Sequence, residues 1–119
     1  MRTIIIAIAL LFLGTAYADR DALVIEALVA NGSDISKVHE IDFFLDFDNL
    51  KQAAVVAQSM ESQGFRVKVY ENEDQTVTIE AKRFLIPTLD NIHRVSSTLE
   101  SLTSKYGGSY DGWGTEIVK

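Results

Sequence analysis

Two histidines, seventeen carboxylates and no cysteine limit the chemistry open to this chain. His39 and His93 stand far apart, and neither has a second histidine at metal-ligand spacing. No His-x-x-x-His, Gly-x-Ser-x-Gly, P-loop or Gly-x-Gly-x-x-Gly pattern is present. Asp46-Phe47-Asp48-Asn49 hints at a calcium loop but lacks that loop's glycine and distal glutamate, and helix capping by Asp48 accounts for its carboxylates. Glu40 and Asp42 could serve acid–base work in a pocket, yet their alternation with apolar residues reads as a solvated strand face. Asp90 and Arg94, one helical turn apart, form an ordinary surface pair. Without cysteine there is no disulfide, thiol nucleophile, zinc–thiolate site or lipoprotein anchor. No residue set supports catalysis, a cofactor or a metal, so binding is the expected mode of action.

The residues best suited to binding are aromatic and acidic. Gly107-Gly108-Ser109-Tyr110-Asp111-Gly112-Trp113-Gly114 sets the single tryptophan between two glycines, just after an Asp-Gly turn signal. In one reading the glycines permit a bulge and Trp113 packs over bare backbone. In the other, Tyr110, Asp111 and Trp113 anchor a partner. The structural reading carries more weight, because a lone tryptophan in a small domain usually fills core. On the strand before the middle helix, Glu40, Asp42 and Phe44 share one parity and form a second candidate binding set.

These residues are positioned by elements that begin after a distinct leader. Met1-Arg2 is followed by the apolar run Thr3 to Leu13, a Gly14-Thr15 break, and Ala16-Tyr17-Ala18, the small-x-small pattern of a signal peptidase site. The run is about half the roughly 20 residues that a spanning helix requires, so no stable membrane anchor is expected after cleavage. Residues 1–18 therefore read as a signal peptide and 19–119 as one domain, periplasmic or secreted once cut and cytoplasmic if the signal is not used. Removing the leader takes one of 11 basic residues and none of 17 acidic ones, moving the net charge from −6 to −7. That balance argues against direct nucleic-acid binding, which needs clustered Lys and Arg, and favours a basic or amphiphilic protein partner.

Arg20 to Ala30 is rich in helix formers and stops at Asn31-Gly32. This stop also accounts for the glycosylation-like Asn31-Gly32-Ser33. Val38 to Phe47 alternates with period two, turning Ile41, Phe43, Leu45 and Phe47 inward. A helix follows over Asn49 to Gln63, burying Leu50, Ala53, Ala54, Ala57 and Met60, and Gly64 ends it. Phe65 to Glu71 and Thr76 to Phe84 form a hairpin across a polar turn, with Phe65, Val67, Val69, Val77, Ile79 and Ala81 inward. Thr88 caps a last helix whose stripe is Leu89, Ile92, Val95, Leu99, Leu102 and Tyr106, and Ser109 to Val118 is a final strand. The order predicts an α+β, ferredoxin-like split βαβ sandwich: a four-stranded antiparallel sheet, helices on one face, and an extra N-terminal helix. The open face should carry Glu40, Asp42, Arg66, Lys68 and Glu80 beside Phe44 and Tyr70.

Tyr110-Asp111-Gly112-Trp113-Gly114, closing a chain of this plan, resembles the RraB family, the regulators of ribonuclease activity. The likeness extends to Asn31-Gly32-Ser33-Asp34, Glu40-Ile41-Asp42-Phe43-Phe44-Leu45, Gly64-Phe65-Arg66-Val67 and Leu85-Ile86-Pro87-Thr88, and runs from about Asp21 to Val118. It implies a small α+β protein that acts by contacting another protein, ribonuclease E in the best-known relatives, with no catalytic residues. Set beside the leader, it predicts an exported RraB-like interaction domain with an envelope partner. The alternatives are a true ribonuclease E regulator, an exported domain binding a small ligand on its open sheet face, and, last, a cryptic hydrolase.

Overall fold

The structure is a computed structural model that describes residues 5–7 and 17–119, with side chains from Asp19 onward. Most of the leader therefore lies outside the described residues. The elements in order are β1 (Ile5–Ala7), α1 (Tyr17–Ala30), β2 (His39–Phe47), α2 (Leu50–Ser62), β3 (Arg66–Glu71), β4 (Val77–Leu85), α3 (Leu89–Lys105) and β5 (Ser109–Glu116). Among the described residues, no helix is long and apolar enough to cross a membrane.

The sheet runs β1-β5-β2-β4-β3, every neighbouring pair antiparallel. Its last four strands form the expected split βαβ sheet, with β2 at the centre. Ile5–Ala7 adds a short outer strand along β5, an addition that alternation alone did not suggest. Ile5 and Ile6 are β-branched and suit a strand, and β5 offers an edge of unpaired amides and carbonyls there.

The core lies between this sheet and the helices. Ile41, Phe43, Leu45, Phe47, Val77, Ile79 and Ala81 are buried with the alternation expected of them. Against them pack Val24 and Leu28 of α1, Val56 and Met60 of α2, and Ile92 and Leu99 of α3. Phe43 meets Phe65 edge to face, ring centroids 5.9 Å apart. The inward face of β3 is weaker than expected: Val69 is exposed because β3 is an edge strand.

α2 is capped by Asn49, which accepts the Gln52 amide at 3.0 Å, and not by Asp48. The resulting phase buries Ala53, Val56, Ala57 and Met60 and turns Leu50 and Ala54 to solvent, correcting the expected stripe. Thr88 caps α3 as expected, donated to by the Asn91 amide at 3.2 Å. Leu89, assigned to the buried stripe of α3, is exposed, while Ser96 and Thr103 are buried in it.

The helices end alike. Ser33 N donates to Leu28 O and Gly32 N to Val29 O, with Gly32 at φ 85°. Phe65 and Gly64 repeat this pairing on Met60 and Glu61, with Gly64 at φ 93°. These are Schellman closures, in which a left-handed residue satisfies the last helical carbonyls.

Candidate interaction surface

All three helices lie on the Phe43 side of the sheet, which leaves the opposite side of β2, β3 and β4 as the uncovered face. Parity places Glu40, Asp42, Phe44 and Asp46 of β2 there, beside Thr78, Glu80, Lys82 and Phe84 of β4. Arg66, Lys68 and Tyr70 of β3 complete it. The seven residues expected on this face are therefore brought together, in the expected register.

Arg66, Glu40, Asp42, Lys82 and Glu80 on the face are mutually paired, while Lys68 has no ion pair among the described residues. Lys82 Nζ donates to Asp42 Oδ1 at 2.5 Å and lies 3.5 Å from Glu80 Oε1. Its hydrogen bond to Asp42 lifts the Lys82 ammonium above the usual lysine range, against partial burial. Arg66 pairs with Glu40, reaching past β4, and its guanidinium sits 5.6 Å from the Phe84 ring centroid. Asp46 accepts the Thr78 hydroxyl at 2.7 Å. These pairs shield Asp42, which is only 8% exposed. Beside the exposed Arg66 and Lys68, the open area is aromatic: Tyr70 at 44% and Phe84 at 61%, with Phe44 half-buried. Phe84 was missed on the sequence, because it ends a strand whose alternation had been read only as far as the apolar side.

The strand β5 beside this face bears little side chain. Phe44 stands opposite Gly112 and Asp42 opposite Gly114, so a ring and a carboxylate flank bare backbone. Between Phe44 and Leu45 the register slips by one residue, because Leu45 faces Tyr110 while Phe44 faces Gly112. Asp111 is the extra residue of that bulge, and Gly112 follows it at φ 111°. The Asp111 carbonyl accepts Arg20 Nη2 at 3.2 Å, which ties the bulge to α1.

The bulge divides the candidate residues. Glu40, Asp42 and Phe44 share the open face and Asp111 is half-buried at its border, but Tyr110 and Trp113 turn inward, both almost wholly buried. The anchor role considered for those two rings is corrected: the fold itself occupies them. Trp113 Nε1 donates to Asp21 Oδ1 at 3.0 Å. Ser96 Oγ donates to the same oxygen at 3.2 Å, which leaves Ser96 to accept the Tyr110 hydroxyl 2.9 Å away. Asp21 Oδ2 has no hydrogen-bond partner, and His93 Nδ1 stands 3.8 Å from it.

Asp21 escaped the sequence reading, although it shares a helical stripe with Val24 and Leu28, an unusual place for a carboxylate. The surface pair of Asp90 and Arg94 does not form: among the described residues, no ion pair joins them. His39 is a buried structural histidine. Its Nδ1 lies 2.8 Å from the Lys37 carbonyl, which can only accept, so Nδ1 carries the proton and Nε2 accepts from Ser33 Oγ at 2.6 Å. Among the described residues, no three His, Asp or Glu side chains converge as a metal site.

Burial pushes the Asp21 carboxyl above the ordinary aspartate range, opposed by the Trp113 and Ser96 donors and by His93 and Arg20 nearby. The unfolded chain therefore releases this proton first. The stabilising contribution is fully present below the unfolded pKa of about 3.9 and is lost as pH rises through the raised folded value. Asp21→Asn keeps an acceptor for Trp113 and Ser96 but cannot ionise. Between pH ~3.5 and 7 the variant should lose less stability, or gain more, than the parent chain. Denaturation midpoints across that range measure the difference, and parallel curves would refute it. Asp34 and Asp74, whose carboxyls are held low by hydrogen bonds from Ser36 and Thr76, act the opposite way in both proteins and cancel.

A family profile described as "Regulator of ribonuclease activity B" matches residues 18–115. Over 99 residues the chain is 32% identical to the Regulator of ribonuclease activity B of Pantoea ananatis (strain LMG 20103), covering 78% of this chain and 70% of that one. The matched region takes in α1, the sheet from β2 to β4, α3 and nearly all of β5, together with the buried Asp21 network. The chain belongs to the regulator of ribonuclease activity B family.

Proposed function

We propose that the protein is a non-catalytic interaction domain that binds a protein partner through the open face of β2, β3 and β4. The observation that carries this reading is the composition of that face: mostly self-paired charges, Lys68 excepted, surrounding Phe44, Tyr70 and Phe84, which no described helix covers. Charge pairs already formed within the face set register and exclude poor partners, while accessible aromatic rings supply the contact area. Family membership supports a regulator that acts by contact rather than by chemistry, with ribonuclease E as the partner suggested by the resemblance.

The leader adds a compartment to this reading. The apolar run before Ala16-Tyr17-Ala18 supports export and cleavage after Ala18, and the family match begins at that residue. Export separates the domain from a cytoplasmic ribonuclease and leaves it an envelope partner. The full-length form should then leave ribonuclease E substrate transcripts at their normal lifetimes, whereas a form starting at Asp19 behind a new methionine should bind the enzyme. Both forms are expressed, transcript lifetimes followed, and ribonuclease E recovered by pull-down from cytoplasmic extract. Transcripts stabilised by a correctly exported full-length form would defeat the localisation argument.

The same pull-down tests the surface. Glu40→Lys and Phe44→Ala, introduced separately into the leaderless form, should each weaken capture about tenfold or more while circular dichroism stays unchanged. Capture unaffected by both would move the binding surface away from the open face.

A further inference from the structure

A second surface, on the helix side of the sheet, has the opposite chemistry. β3 begins only at Arg66, opposite Lys82, whereas β4 continues to Leu85. The chain before β3 leaves the sheet, because Phe65 N is taken by Met60 O and Gly64 turns at φ 93°. Among the described residues, no strand therefore pairs with the outer edge of Arg83, Phe84 and Leu85. Beside that edge lies an open groove of about 350 Å³ between the end of α2 and the first half of α3.

The floor of the groove is apolar, formed by Phe65, Leu85 and Val95, and Phe84 stands at its rim. Its charged residues are Arg83 and Arg94, and no carboxylate lines it. Arg83 lies over the Phe65 ring, 5.1 Å from the centroid, and among the described residues neither guanidinium has a carboxylate within ion-pair distance. In a chain of net charge −6, this groove is lined by two arginines and by no acid. On the open sheet face Arg66 and Lys82 each hold a carboxylate, and only Lys68 does not.

We infer that this groove binds an extended acidic–apolar peptide segment, which adds as a short strand to the bare edge of β4 and sets a carboxylate against Arg83 and Arg94. Strand addition gives backbone hydrogen bonds to an edge that has none. Successive side chains on one face of an added strand are two residues apart, so an Asp and a Leu at that spacing reach the guanidiniums and the apolar floor together. Guanidinium–carboxylate forks supply direction and selectivity for acid over amide. The groove is open rather than enclosing, and a small ligand in it would stay largely wet, which favours a peptide. This site meets the sheet face proposed above only at Phe84 and does not depend on the identity of the partner there.

The test titrates the ¹⁵N-labelled full chain with a blocked octapeptide carrying Asp and Leu two residues apart, and with the same peptide bearing Asn for Asp. The expected result is amide shifts concentrated on Arg83 to Leu85 and the first half of α3. The Asn peptide should bind at least tenfold more weakly, and added salt should weaken the Asp peptide. Arg83→Gln combined with Arg94→Gln should abolish the response. Because Arg83 also covers Phe65, Arg94→Gln alone, on an exposed helix surface, is the second variant and should weaken binding severalfold. Glu40→Lys should leave the titration unchanged, so failure of the sheet-face reading and failure of this one are distinguishable. No response at millimolar peptide, equal affinity of the two peptides, or shifts centred on Phe44 would each overturn the assignment. An equal response to octanoate would overturn it as well, by making the ligand a small amphiphile.

Discussion

Trp113→Ala is expected to destabilise the protein by about 3–5 kcal/mol, the usual loss on truncating a buried aromatic side chain. Trp113 is 2% exposed, stands opposite Phe43 in the sheet, and gives its indole N–H to Asp21. The substitution therefore opens a cavity and also takes from a buried carboxylate one of its two hydrogen-bond donors. Trp113→Phe separates the two effects. It keeps most of the volume and should cost about 1–3 kcal/mol, the range for leaving a buried polar group unsatisfied. Urea denaturation followed by circular dichroism measures both, since the chain has no other tryptophan to report by fluorescence. An unchanged midpoint for Trp113→Ala would mean that the indole does not belong to the core.

Gly108→Ala should also destabilise, for a different reason. Gly108 N donates to Thr103 O in the closing turn of α3, and the residue leads directly into β5 against the end of β2. A methyl group placed there would fall 2.7 Å from the Asp46 carbonyl oxygen and would overlap the Phe47 ring. A backbone carbonyl in a sheet cannot swing aside as a flexible side chain can, so the β2–β5 pairing itself must shift. Overpacking of this kind costs about 1–3 kcal/mol and sometimes more. Gly64→Ala is the control: nothing lies within 4 Å of its added carbon, and only the left-handed backbone resists. A midpoint for Gly108→Ala equal to or above that of Gly64→Ala would contradict the steric account.

The architecture was legible wherever a single physical signal acted alone. Alternation in Ile41 to Phe47 has one meaning, because shifting a strand by one residue reverses both its faces. The parity of Asp42 and Phe43, and with it the whole open face, followed from that. Helix phase was harder. In α2 the apolar residues include so many alanines that two neighbouring stripes bury similar surface, and Val56 decides between them only once the start at Leu50 is fixed by Asn49. The buried polar groups were not legible at all. Asp21, Ser96 and Tyr110 are ordinary surface types one by one, and only the tertiary fold, bringing α1 against α3 and β5, makes them a network. The groove at Arg83 and Arg94 was hidden for a related reason: it exists because β3 stops short of β4, and strand ends are what alternation locates least well.

The position of β2 in the sheet also fixes the order in which the chain can fold as it is made. Both strands that flank β2 come later in the sequence, β4 from Val77 and β5 from Ser109. Until Val77 has emerged from the ribosome, β2 has no strand to pair with, and until Ser109 emerges one of its edges stays bare. The Asp21 carboxylate on α1 waits as well, since its donors lie 75 and 92 residues further along. Such long-range closures are slow, and here they cannot be built up from the N-terminus as synthesis proceeds. A nascent chain therefore remains unlocked until β5 has been made, in a form that any unfolded-chain machinery can still handle. Among the described elements, the strand made last, β5, is the one that fastens α1.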